Sequence, residues 1–278
     1  MLNNGEAARK EKGYETMLKK FGIQAWTVRD HMPKDDAVTT AETFKKLAEF
    51  GYTELQTISL NLPAEEYAKL AHDNGISIVG THLPFDSLTA DPEMAMETHR
   101  ILGTTNIGIG GFYTHSFDEL KAFCEKANKF AEIIHKNGFR FTYHNHSHEF
   151  RKIDGDRTIM DYLVDNLDPV NTSFCLDTYW VQHGGGDVRS WIEKLAGRID
   201  ILHLKEMEVL EVKEDDRTKI VQQYTHIGNG NLEWKKIVET AEKTGVKHYI
   251  VEQDSFWVDG DPMKAAKKSA DYIKANLM

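Results

Sequence analysis

The chain has 278 residues, 40% of them hydrophobic and 28% charged, with a formal net charge of −10. These totals suit a soluble globular protein with a sizeable core, and they argue against a nucleic-acid partner, which demands a basic face. The two cysteines, Cys124 and Cys175, are too few for a disulfide framework and are expected to be packed thiols.

The first twenty residues, MLNNGEAARKEKGYETMLKK, are polar and lack the apolar stretch of a signal peptide. They are expected to form an extension ahead of the folded domain. No apolar run approaches the roughly 20 residues of a membrane span, so no membrane partner and a cytoplasmic location are expected.

From residue 21 a single rhythm repeats. Short β-rich runs occur at 21–28 (FGIQAWTV), 52–57, 76–83, 106–112, 140–146, 172–178, 199–206 and 248–254. Helical stretches lie between them. Residues 37–50 place Ala41, Phe44, Leu47 and Ala48 on one face and stop at Gly51. The next helix starts near Pro63 and ends at Gly75. Ser116 and Glu119 have capping-box spacing ahead of a helix that ends at Gly138. Another helix follows Asn231 and ends at Gly245.

Eight strands alternating with helices predict parallel βαβ units, and eight is the number that closes a (β/α)8 barrel. The competing open doubly wound sheet would show a glycine-rich turn after its first strand. Here that strand runs into TVRDHMPKDD, without a glycine. The expectation is therefore an α/β fold: one (β/α)8 barrel over 21–278, preceded by the 1–20 extension. The polar stretch 207–230 is expected to be an active-site loop.

Barrel enzymes carry their chemistry at the C-terminal ends of the strands. Those ends present Trp26, Gln56, His82, Phe112, His146 with Glu149, Asp177, His203 with Lys205, and Glu252. Glu149, Asp177, His203 and Glu252 come from four successive strands and would converge. Three carboxylates and an imidazole form a hard ligand set suited to Mn²⁺ or Mg²⁺, with Co²⁺ or Zn²⁺ also accommodated. Carboxylates that close would repel unless a cation neutralised them. Taken singly, each is equally an ordinary polar residue at a strand end.

The stretch FTYHNHSHEF (141–150) adds more groups. His144 and His146 share one strand face. His146 is a candidate for binding substrate hydroxyls or moving protons, or for holding Glu149; His148 is expected to be exposed. His82 and His183, the latter before three glycines, are candidate substrate contacts. Lys205 lies on the same side as His203 and could meet a hydroxyl or a phosphate. Trp26, Phe112 and Trp180 are candidate walls for a sugar ring. The amides of Gly228-Asn229-Gly230 suit either an anion or a turn before a helix.

In this order, GIQAWTVRD, YHNHSHEF, LDTYWVQHGGGDV, HLKE and IGNGNLEW resemble the xylose-isomerase-like barrel superfamily. Within it they resemble the sugar phosphate isomerases/epimerases, relatives of inosose dehydratases and ketose 3-epimerases. The resemblance implies a single divalent metal, Mn²⁺ foremost, held by Glu149, Asp177, His203 and Glu252. It further implies a keto-sugar substrate with its carbonyl polarised by the ion, and proton removal next to that carbonyl to give an enediolate. Glu149 and Glu252 would be the paired base and acid, with His144 and His146 as further catalytic candidates. Isomerisation or epimerisation is the implied outcome. The alternatives are a dehydratase, or a lyase on 3-keto glycosides that works with a small β-protein subunit. The implied assembly is a homo-oligomer or a hetero-oligomer with that subunit. In one place the chain departs from the ketose epimerases: Trp180 stands where they carry a histidine, which points to a larger or modified sugar.

Overall fold

The computed structural model describes residues 18–214 and 217–278; most of the expected N-terminal extension lies outside the described residues. Eight parallel strands form the frame: β1 (Gly22–Gln24), β2 (Glu54–Thr57), β3 (Ser77–Thr81), β4 (Asn106–Ile109), β5 (Arg140–His144), β6 (Thr172–Asp177), β7 (Ile199–Leu204) and β8 (His248–Val251). Their hydrogen-bonded order is 3-2-1-8-7-6-5-4. Gly22 pairs with Ile250 and Ile23 with Val251, which joins the first strand to the last. The seam between β3 and β4 is bridged by Leu83 N–H to Gly108 O at 2.9 Å and Asn106 Nδ2 to Val79 O at 3.0 Å. Only glycine fits at 108, because a Cβ there would fall on the Thr81 carbonyl oxygen. The expected barrel is thus present and nearly closed.

Helices surround the ring. Asp36 caps Ala37–Phe50 by accepting from Thr39 N at 2.9 Å, and Gly51 ends that helix at φ 102°. Ser116 caps Phe117–His135, but Glu119 reaches the amide of His115 at 2.8 Å, one residue before the expected reciprocal contact.

Two apolar layers set the parity of every strand. The outer layer, between strands and helices, includes Phe44, Phe123, Phe130, Phe141, Phe174 and Ile192. The inner layer is a small plug of Val79, Cys175, Ile201 and Ile250 inside the ring. Side chains two residues apart share a strand face. The plug therefore places Asp177 above Cys175, His203 and then Lys205 above Ile201, and Glu252 above Ile250. The chemistry at the barrel mouth follows from which residues fill its floor.

Two expectations differ from the structure. The first strand is short, because Ala25–His31 turns into a 3-10 helix. The stretch 207–230 is largely a β ribbon, Glu206–Glu214 paired antiparallel with Arg217–Thr225. Its sequence signal is the near-alternation of apolar and charged residues in EMEVLEVKE.

Candidate metal centre and active site

Asp177, His203 and Glu252 converge as the strand ends require, and the fourth member of the group is His144. One donor atom from each of these four buried residues lies within 4.8 Å of the others. His203 Nδ1 is 3.0 Å from Glu252 Oε2 and 3.5 Å from Asp177 Oδ2. His144 Nε2 is 3.4 Å from Asp177 Oδ2.

Glu149 lies outside this group and gathers instead with His146 and His148, one donor atom of each within 4.8 Å of the others; strand parity explains the separation. Tyr143 precedes His144 on β5 and so points outward, where its ring meets Phe123 and Phe174. The Tyr143 hydroxyl donates to Glu149 Oε1 at 2.8 Å, and the His146 amide donates to Glu149 Oε2 at 2.8 Å. The fully buried Glu149 carboxyl therefore holds the turn after β5 from behind. Burial pushes it up to about 8, against the hydrogen bonds from Tyr143 and His146. His148, expected to be exposed, is partly buried, 3.1 Å from Phe112 O and 3.3 Å from Glu149 Oε1.

The centre is surrounded by polar groups that sequence reasoning did not assign to it. Gln56 Oε1 accepts from His203 Nε2 at 2.5 Å and from Gln24 Nε2 at 2.8 Å, and Gln56 Nε2 is 2.9 Å from His82 Nε2. With Nε2–H committed to Gln56, a neutral His203 turns the lone pair of Nδ1 toward Glu252 and Asp177. Two electron-rich atoms face each other at 3.0 Å only with a proton or a cation between them. Burial disfavours a charged His203, but the Cys175 sulfur and Glu252 outweigh it and raise its pKa well above the usual histidine range. His144 Nδ1 is buried without a hydrogen-bond partner. Two imidazoles, two carboxylates and an amide orienting one imidazole fit a divalent cation.

Lys205 lies beside the centre, 1% exposed. Its Nζ is 2.7 Å from Asp254 Oδ2, 3.1 Å from Glu252 Oε2 and 3.8 Å from Asp177 Oδ2. It also sits 5.0 Å from the ring centroids of Trp180 and of Tyr224. Burial works against its charge, but Glu252, Asp177 and Asp254 prevail and raise its pKa. Burial would likewise raise Asp177, yet Lys205, His144 and His203 hold its carboxyl at about 2. Lys205 and His203 outweigh burial at Glu252 too, keeping it well below the usual carboxylate range.

A cleft of about 360 Å³ opens onto this group, lined by Trp26, Ile58, His82, Gly110, His144, His146, Lys205, Glu252 and Asp254. Burial and the neighbouring His144 and Lys205 lower the His146 pKa to about 3, so its ring is neutral. Gly111 makes room for that ring: its φ is 112°, and a Cβ there would stand 3.0 Å from His146 Nδ1. His82 lines the cleft and is also neutral, through burial and then His144 and His203.

The remaining expected contacts are spread more widely. Trp26 walls the cleft. Trp180 stands behind it, its ring 5.3 Å from that of His146. Phe112 turns outward and stacks on Phe123 at 4.2 Å. His183 is exposed and lies along Tyr179 at 5.5 Å, outside the cleft lining. The Gly228-Asn229-Gly230 turn does meet an anion, but an internal one. Buried Glu206 accepts from Gly228 N at 3.0 Å and Leu232 N at 3.1 Å, and from Trp234 Nε1. Asp254, Tyr224 and Gln24 were not singled out, because their relevance rests on packing between segments distant in sequence.

A ring of eight parallel strands with a histidine–carboxylate group at its C-terminal mouth defines a (β/α)8 barrel with a candidate metal site. The chain belongs to the xylose isomerase-like TIM barrel family, which it matches over residues 18–276. It is 24% identical over 185 residues to an inosose dehydratase of Clostridium perfringens, a match covering 63% of this chain and 61% of that protein. Among solved structures it is similar to a sugar phosphate isomerase/epimerase from Parabacteroides distasonis, at 22% identity and a TM-score of 0.76, covering 95% of this chain and 96% of the other. A barrel protein of this type from Mycobacterium smegmatis, solved in complex with magnesium, is 12% identical with a TM-score of 0.65, covering 95% and 98%. Among the described residues, no helix is long and apolar enough to cross a membrane.

Proposed function

We propose that this protein is a metal-dependent enzyme that removes the proton next to the carbonyl of a keto sugar or keto-cyclitol and eliminates water from it. The observation that carries this reading is the convergence of His144, Asp177, His203 and Glu252 at the floor of the cleft. Those four residues would hold the ion. Two nitrogen donors move the preference from Mg²⁺ toward Mn²⁺, Co²⁺ or Zn²⁺. A bound ion would polarise the substrate carbonyl and stabilise negative charge on its oxygen.

The chain's own groups account for the remaining requirements. Glu252 is ionised and lines the cleft, so it can accept the proton on the carbon next to the carbonyl. As the neighbouring C–O bond breaks, the same carboxyl can return that proton to the departing hydroxyl, which leaves as water. The Lys205 ammonium holds Glu252 and Asp254 in place. Neutral His146 is free to orient substrate hydroxyls, and Trp26 offers a face to the ring.

Epimerisation needs proton carriers on both faces of the substrate. The second glutamate expected for that role, Glu149, is bonded to Tyr143 behind the strand, so one-sided elimination fits better. The match to an inosose dehydratase supports the same choice. The test is turnover of inosose and of keto-hexoses in D₂O with Mn²⁺ added. Expected are solvent deuterium next to the carbonyl, a dehydrated dicarbonyl product, and loss of about a hundredfold or more in Glu252→Gln. An epimer without dehydrated product would replace elimination by epimerisation. Absence of exchange with every keto substrate would overturn the reading.

A further inference from the structure

Beside the candidate metal centre lies a second set of metal-binding donors, for which the proposed reaction has no use. One donor atom from each of His82, Cys175 and His203 lies within 4.8 Å of the others. Two imidazoles and a thiolate form a soft set, suited to Zn²⁺ or Co²⁺ and poorly suited to Mg²⁺ or Mn²⁺. Cys175 belongs to the plug inside the ring. His82 borders the cleft, which gives an ion a way in.

One amide stands among these three donors. Gln56, itself fully buried, touches each of them. Its Oε1 accepts from His203 Nε2 at 2.5 Å and from Gln24 Nε2 at 2.8 Å. The amide nitrogen is thereby left to donate, to His82 Nε2 at 2.9 Å and to Cys175 Sγ at 3.8 Å. The lone pairs of that ring nitrogen and that sulfur therefore face an N–H donor, which plays for them the part a cation would play.

His203 cannot serve both sets as a neutral ring, because an imidazole has one lone pair. With Nε2–H given to Gln56, the lone pair is on Nδ1 and faces Glu252 Oε2 at 3.0 Å. An ion held through Nε2 would move the proton to Nδ1 and take His203 away from Asp177 and Glu252.

We propose that Gln56 is a metal-selectivity residue: its amide fills a soft His82–Cys175–His203 site, keeps thiol-seeking ions out of it and commits His203 to the harder set of His144, Asp177 and Glu252. Removing the amide opens the soft site to Zn²⁺ or Co²⁺, which displaces the Cys175 thiol proton on binding. The proposal rests on the reading of His203 as a metal ligand.

The test is the absorption spectrum of the full chain loaded with Co²⁺. A thiolate bound to cobalt gives a strong near-ultraviolet band that nitrogen and oxygen ligands do not give. Wild type is expected to take up Co²⁺ without the band. Gln56→Ala is expected to show it, and Gln56→Ala combined with Cys175→Ser to lose it again. Gln56→Ser, which keeps a hydroxyl beside His203, is measured alongside, with folding followed by circular dichroism. The ratio of Co²⁺ to Mn²⁺ affinity is expected to rise by about tenfold or more in the Gln56 variants, because Mn²⁺ loses the partner that orients His203 while Co²⁺ gains a thiolate. A band in wild type, no band in a folded Gln56 variant that binds Co²⁺, or a band that survives Cys175→Ser overturns the proposal. Unfolding of both Gln56 variants also overturns it, making the amide a support for packing. If elemental analysis finds no Co²⁺ on wild type or variants, the metal-centre reading falls and the soft site falls with it. Cobalt bound by the variants without a thiolate band removes the soft site alone.

Discussion

Gln56 and His203, 147 residues apart in sequence, are joined by a hydrogen bond from His203 Nε2–H to Gln56 Oε1 at 2.5 Å. That bond decides which imidazole nitrogen looks at Glu252 and Asp177. Metal-binding histidines depend on such orienting partners, and losing one costs about 10- to 100-fold in affinity. Gln56→Met keeps the length of the side chain and removes the acceptor. Its Mn²⁺ affinity, followed by electron paramagnetic resonance titration, is expected to fall by that factor. Unchanged affinity would show that Gln56 does not set the imidazole.

Glu149 makes stability depend on pH in a definite direction. Its carboxyl is raised from 4.5 to about 8 in the folded chain. Below pH 4.5 it is protonated folded or unfolded and contributes nothing. As pH rises from 4.5 toward 8, the unfolded chain ionises first, so the folded state loses stability, by up to a few kcal/mol. Asp177 and Glu252 have the opposite shift; their contribution is complete above the ordinary carboxylate range and fades only in acid. Urea unfolding at pH 5, 6.5 and 8 is expected to show wild type losing stability relative to Glu149→Gln. Parallel pH profiles would contradict this.

Glu206 is a buried staple for the turn that follows the ribbon. It accepts from the amides of Met207, Gly228 and Leu232 and from the Trp234 indole. Glu206→Ala leaves these donors without their acceptor, and each unsatisfied buried donor costs about 1–3 kcal/mol. With partial relaxation, a total loss of about 3–6 kcal/mol is expected in denaturant unfolding. A loss below about 1 kcal/mol, the worth of a single hydrogen bond, would show that the turn holds without it.

Gly111 is where backbone and candidate site constrain each other. Alanine there meets His146 Nδ1 and adopts a φ that L residues rarely take. Gly111→Ala is expected to cost about 1–3 kcal/mol of stability and to lower kcat by moving the His146 ring. Wild-type kcat and stability together would contradict both parts.

The barrel was legible because its signals are local: apolar runs of strand length, glycines after helices and the cap at Ser116. The convergence of Asp177, His203 and Glu252 was legible because strand ends can be counted. The parity of β5 was the hard part. FTYHNHSHEF offers two acceptor positions, His144 on the inner face and Glu149 beyond the strand. Only the outward turn of Tyr143 shows that the glutamate is drawn away from the mouth. Gln56 was legible as a strand end but not as the partner of His203, and Asp254 and Tyr224 were invisible as site residues, because these roles depend on contacts between segments far apart in sequence.

The membership of the candidate metal centre is tested most directly by metal content. Wild type, His144→Ala and Glu149→Gln, each loaded with Mn²⁺ and desalted, are compared by elemental analysis. Expected is one ion per chain in wild type and in Glu149→Gln, and loss of the ion in His144→Ala. Retention in His144→Ala together with loss in Glu149→Gln would restore Glu149 as the ligand and contradict the centre described above.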